Sequence, residues 1–192
     1  MQTYIIKNQK DLNKFKDDYG YKIDGNAEFE YSAIFEGRLL VNGYLSIKAG
    51  WSIEAGWSIE AGWSIEAGGS IKAGEFIEAG GSIKAGEFIE AGGSIKAGGS
   101  IEAGDNYGIN AGLSITCKGK LKFGLKAFAG ICTWEEISEE EKTITCGKFE
   151  GGVIEYGVLI ETGLPEEKMI TLSNGKKVSE STVIEALKGL VK

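Results

Sequence analysis

The chain is expected to be mainly β and to fold as a parallel β-helix, a β-solenoid of hexapeptide repeats with three sides. Three observations predict this. Isoleucine recurs every six residues at Ile47, Ile53, Ile59, Ile65, Ile71, Ile77, Ile83, Ile89, Ile95 and Ile101, each followed two places on by alanine and three places on by glycine. Self-similarity at one fixed period marks a solenoid. Within each phrase Ser-Ile-Glu-Ala alternates polar and apolar, the pattern of a short strand with one buried face, and glycine permits the corner that follows. On a helix, six-residue spacing would step the apolar side chains by about 600°, spreading them around the cylinder instead of along one stripe.

The third observation is charge, because the coils of a solenoid stack about 4.8 Å apart and equivalent positions become neighbours. The residue after each isoleucine reads Lys48, Glu54, Glu60, Glu66, Lys72, Glu78, Lys84, Glu90, Lys96, Glu102. A coil of two phrases would stack like charges in six of eight pairs, whereas a coil of three phrases stacks opposite charges in six of seven, with Glu60 over Glu78 the exception. Stacked like charges destabilise a sheet, so the longer coil and a three-walled prism are predicted. The pairs Glu75-Phe76 and Glu87-Phe88, which recur after two phrases, point the other way.

The elements follow in order. Residues 1–20 are expected to form an N-terminal cap, with a short helix in NQKDLNKFKDDY covering the open first coil. Residues 21–133 form the solenoid, degenerate at first with Ile34, Leu40 and Ile47 at near-six spacing and regular over 45–104. Residues 134–192 form a small α+β unit: hairpins about Gly151-Gly152 and Asn174-Gly175, then an amphipathic helix carrying Val183, Leu187 and Leu190 on one face.

Composition limits what such a rod can do. The 192 residues are 42% apolar, with 30 glycines, a single proline at Pro165, no histidine and a formal charge of -7. That charge repels phosphate backbones and anionic lipid, so neither direct nucleic-acid binding nor a membrane role is expected. No segment approaches the roughly 18 apolar residues of a spanning helix, and the start lacks the pattern of a secretory signal, so a cytoplasmic location is expected. Cys117, Cys132 and Cys146 are odd in number, and their spacings of 15 and 14 match no common metal site, so three buried thiols are expected. Phosphate loops, nucleophile elbows and CxxC pairs are missing from the sequence. The expectation is therefore a non-enzyme with no catalytic residues, no cofactor and no metal.

The isoleucine period over residues 45–115 resembles that of the acyltransferases built on left-handed parallel β-helices. That resemblance implies a histidine general base, and this chain has no histidine. Residues 22–104, with their SIxAG phrases, resemble the bactofilins, which implies a polymer-forming scaffold growing through bare coil ends. The overall layout resembles small anti-defence proteins of phages and mobile elements, the anti-CRISPR type, which implies an inhibitor that blocks a bacterial defence nuclease.

Candidate contact residues fall in two places. The slot before serine holds Trp51, Trp57 and Trp63 in three consecutive phrases, then accepts glycine or glutamate, so these rings are expected at the outer corners of one coil. Further on, Lys118, Lys120 and Lys122 precede the acidic run Glu135, Glu136, Glu139, Glu140 and Glu141, and Glu161, Glu166 and Glu167 add negative charge. The expected partner is a protein with a basic surface, such as a nucleic-acid-handling complex. The chain itself is expected to be a discrete monomer or homodimer unless it is a scaffold.

Overall fold

The computed structural model describes residues 1–133 and 136–163, together with the backbone of strands Met169–Thr171 and Lys177–Ser179. Within them the chain winds as a parallel, three-walled β-solenoid. The first wall has eight strands, from Thr3–Ile6 and Asn26–Phe29 through Leu45–Ile47 and Ile65–Ala67 to Lys148–Glu150. The second has seven, from Ala33–Phe35 through Ile53–Ala55 and Ile71–Ala73 to Val153–Tyr156. The third has nine, starting with Lys16–Asp17 and Gly20–Ile23 and running through Ile59–Ala61 and Ile77–Ala79 to Val158–Glu161.

Successive phrases visit the three walls in turn, so over the regular coils each isoleucine meets the isoleucine three phrases on. Ile53 lies beside Ile71 and Ile71 beside Ile89 on the second wall; Ile59, Ile77 and Ile95 line up on the third. The isoleucines and alanines point inward and are buried, while the lysine or glutamate between them points out. The predicted charge ladder is in register for Glu54–Lys72, Lys72–Glu90, Glu66–Lys84, Lys84–Glu102 and Glu78–Lys96, as is the repulsive Glu60–Glu78 pair. The phenylalanines that recur after two phrases lie on different walls, Phe76 leading into the third and Phe88 into the second. They are no sign of a two-sided coil.

One predicted pair fails. Ile47 sits beside Ala67, and it is Leu45 that meets Ile65. The corner spanning 48–52 carries two extra residues, so the sequence keeps its six-residue beat while the structure shifts phase. Lys48 then bonds Glu30 in the coil below instead of facing Glu66. The same corner is widened again at 103–108, where Ile101 meets Leu121.

Close approach, and not unusual dihedrals, makes the corner glycines necessary. Gly74, Gly80, Gly86 and Gly98 all have ordinary negative φ, yet a methyl on any of them would overlap the carbonyl oxygen of the corner glycine one coil below. A second column explains the serines. Ser64 Oγ accepts from the Ser82 N–H at 3.2 Å, Ser82 Oγ from Ser100 at 3.0 Å, and Ser100 Oγ from Lys120 at 3.0 Å. Gly81, Gly99 and Gly119 make room for those hydroxyls, since a methyl there would collide with them.

Several expectations about the ends are corrected. The solenoid extends beyond 21–133 in both directions: Thr3–Ile6 pairs with Asn26–Phe29, and strands out to Val158–Glu161 join the walls. In the degenerate coils the phase is one residue off. Ala33, Phe35, Leu39 and Val41 are buried, whereas Ile34 is 72% exposed and Leu40 half-exposed. Gly151 and Gly152, both at positive φ, turn the chain from the first wall to the second and make no hairpin. Each flanking strand pairs in parallel with the coil below, Phe149 with Leu121 and Ile154 with Ala127, which satisfies backbone groups that a hairpin would leave facing an open edge.

The N-terminal cap is a short helix, Gln9–Leu12, with Asn8 as its N-cap, continued by the 3-10 turn Asn13–Phe15. Leu12 is fully buried over the first coil, and Tyr4 packs edge-on against Phe15 at 4.9 Å. Lys16–Asp17 doubles back antiparallel on Gly20–Ile23, and Arg38 ties Asp17 at 3.1 Å. Near the C-terminus, Met169–Thr171 and Lys177–Ser179 pair antiparallel; the turn expected at Asn174-Gly175 and the helix expected over Val183, Leu187 and Leu190 lie outside the described residues. No helix among the described residues is long and apolar enough to cross a membrane.

Candidate interaction surface

With the core filled by isoleucine and alanine, chemistry is confined to the outward positions and the corners. Trp51 opens the second wall, Trp57 the third and Trp63 the first, so one coil carries one tryptophan at each of its three corners. They are 44%, 47% and 53% exposed, and neither the N-terminal segment nor the degenerate coils cover them. Because the corners face different directions, one flat partner can meet two of the rings but not all three. The third wall is the face bordered by Trp57 and Trp63.

The walls differ in how their charges stack. On the second, Lys72 stands 3.8 Å from Glu54 and 3.6 Å from Glu90, bridging three coils. On the first, Glu66, Lys84 and Glu102 alternate in register. Among the described residues, only on the third do two carboxylates, Glu60 and Glu78, stack directly, with Glu75 at the adjoining corner. Lys96 lies 3.0 Å from Glu78; Glu60 accepts from Ser58 Oγ at 3.2 Å.

An open groove of about 520 Å³ crosses this third wall. Phe76 and Leu113 line it two coils apart, Gly93 and Ser94 lie in the coil between them, and Glu75, Glu78 and Lys96 edge it. It exists because the Glu75-Phe76 phrase puts a ring where neighbouring phrases have serine, and the next phrase on that wall returns to Gly93-Ser94. In the sequence Phe76 stands out only through its recurrence with Phe88 after two phrases, and the groove is not visible there; its signal is a bulky residue followed 17 places later by Gly-Ser.

The acidic run is less available than its composition suggests. Glu136, Glu139, Glu140 and Glu141 are exposed, but Glu139 pairs with Lys142 at 2.7 Å, and Glu141 accepts from both the N–H and the hydroxyl of Ser138, which holds its carboxyl below the usual range. Glu135, Glu166 and Glu167 lie outside the described residues. Glu161 accepts from the Phe149 N–H at 2.7 Å. The lysines pair elsewhere, Lys120 with Glu150 at 3.1 Å and Lys122 with Asp105 at 3.5 Å, while Lys118 is exposed.

Two of the three cysteines are buried as expected. Cys117 takes the slot filled by Ala97 one coil below, and Cys146 follows on the same wall. Burial, reinforced by Cys146, pushes the Cys117 thiol up to about 11, so it behaves as a small apolar filler and not as a nucleophile. Cys132 departs from the expectation: it lies in the connection after the second wall and is half-exposed. Among the described residues, no three Cys, Asp or Glu side chains group as metal ligands would.

No protein-family model, curated protein or solved structure matches this chain.

Proposed function

We propose that the protein is a non-catalytic binding protein that acts by occupying a basic protein surface, as an anti-CRISPR-type inhibitor from a phage or mobile element occupies a bacterial defence nuclease. The observation that carries this reading is the exposure of three tryptophans on one coil of an acidic rod. Large exposed rings cost free energy in water and serve as anchors at interfaces, and a net negative chain speeds encounter with a cationic partner. A bactofilin-like scaffold would grow through bare coil ends. Leu12 and the antiparallel Lys16–Asp17 strand close the first coil and oppose such growth.

The test is phage plating on bacteria that carry a defined RNA-guided nuclease. Expression of the chain should restore plating against at least one member of a panel of such nucleases, and Trp57→Ser with Trp63→Ser should remove most of that rescue at equal protein level. Failure against the whole panel overturns the reading. A salt-insensitive filament in light scattering would support the scaffold instead.

A further inference from the structure

Resting on that binding reading, we propose that the third wall is the contact face, and that its groove receives a partner segment in which a leucine- or phenylalanine-sized side chain is flanked by arginine or lysine. Three features of this wall coincide. Trp57 and Trp63 stand at its two corners on a single rung, with Glu60 midway between them. Arginine favours such a setting, because its guanidinium both pairs with a carboxylate and stacks on an indole face.

Directly above that rung lies the groove. Phe76 and Leu113 are two coils apart, about 10 Å of backbone spacing, and the intervening coil puts the small residues Gly93 and Ser94 between them, with Lys96 at the edge. That gap fits one apolar side chain inserted between them.

The charge around the groove selects the flanking residues. Glu60, Glu75 and Glu78 stand against one lysine, Lys96, which is taken up by Glu78. The second wall has the same balance, Glu54, Glu87 and Glu90 against Lys72, but there the lysine stands between the two carboxylates it faces, and on the first wall Lys84 stands between Glu66 and Glu102. The third wall therefore keeps a like-charge contact that a lysine at position 60 would relieve, in the way Glu54 and Lys72 relieve theirs. A cationic partner supplies that relief on binding. Trp51, at the corner away from this wall, stays outside the contact.

Backbone NMR of the full-length chain tests this with blocked tripeptides as probes. Arg-Leu-Arg should shift the amides of Gly74–Glu78, Gly93–Lys96 and Leu113 saturably at millimolar concentration. Arg-Ser-Arg and Glu-Leu-Glu should bind at least about tenfold more weakly. Phe76→Ser should weaken Arg-Leu-Arg by a similar factor. Glu60→Lys should weaken it too while raising the thermal midpoint, a combination that a purely structural role for Glu60 would not produce.

Shifts centred on Trp51 or on the 136–142 loop, or no shift at all, overturn the proposal. The two readings fail separately: rescue of phage plating with a silent groove removes the face assignment alone, and a responsive groove without rescue removes the defence-inhibitor role alone.

Discussion

Gly80→Ala should lower the thermal midpoint by about 6–12 °C, equivalent to about 3 kcal/mol in a chain of this size. Residue 80 has ordinary φ, so alanine is not strained by its own backbone there. The penalty comes from stacking: the added methyl would overlap the Gly62 carbonyl oxygen, and the coils must part locally to admit it. Parting breaks parallel hydrogen bonds such as Gly80 N–H to Ala61 O at 3.0 Å, and because each coil leans only on its neighbours the damage has nowhere to spread and relax. Gly56→Ala is the matched control. Its nearest neighbours, the Glu36 Cα and the Gly37 N, stand at 3.3 Å, and alanine also reduces the freedom of the unfolded chain, so its midpoint should stay within the equivalent of about 1 kcal/mol. Equal effects from the two substitutions in a melt followed by circular dichroism would refute the stacking explanation.

Ile77→Ala should cost about 3–4 kcal/mol, the usual range for emptying a packed aliphatic site. Ile77 is wholly buried and flanked by Ile59 and Ile95, which are wholly buried themselves, so the cavity is enclosed above, below and by the facing walls. Backbone stacking at a fixed coil spacing prevents the neighbours from collapsing into it. Ile34→Ala removes the same atoms from a side chain that is 72% exposed and should change stability by less than about 0.5 kcal/mol. Denaturant unfolding of the two variants measures the contrast. A similar loss at both positions would mean that the inward phase of the early coils is misassigned.

That contrast also shows how far the sequence could be read. Residues 53–102 announce their wall, phase and charge partners because every phrase repeats the same inward pair, isoleucine and alanine. The coils before Leu45 do not. Phrases such as Ala33-Ile34-Phe35 and Leu39-Leu40-Val41 are apolar throughout, so alternation alone leaves two phases open and a one-residue slip exchanges the faces. What decides is pairing with neighbouring coils, which puts Ala33 beside Ile53 and Leu39 beside Ile59. The corner insertion at 48–52 was hidden for a related reason: Ile47 keeps six-residue spacing to Ile53 while occupying an alanine slot.

The tryptophan corners were legible because a slot that accepts both glycine and glutamate must face water. The groove was not, since it needs Phe76 and Leu113 to fall on one wall two coils apart, a juxtaposition that exists only once coil length is known.

Three walls and a coil of three phrases set every surface position of the rod, and paired spin labels measure that geometry directly. With Cys132→Ser removing the half-exposed native thiol, labels at Glu54→Cys and Lys72→Cys should show strong dipolar broadening, because those positions are in register on adjacent coils about 4.8 Å apart. Labels at Glu60→Cys and Lys72→Cys, separated by two phrases and on different walls, should show none of comparable strength. Strong broadening for the second pair and none for the first would mean two walls per coil, and would contradict the surface map on which both binding proposals stand.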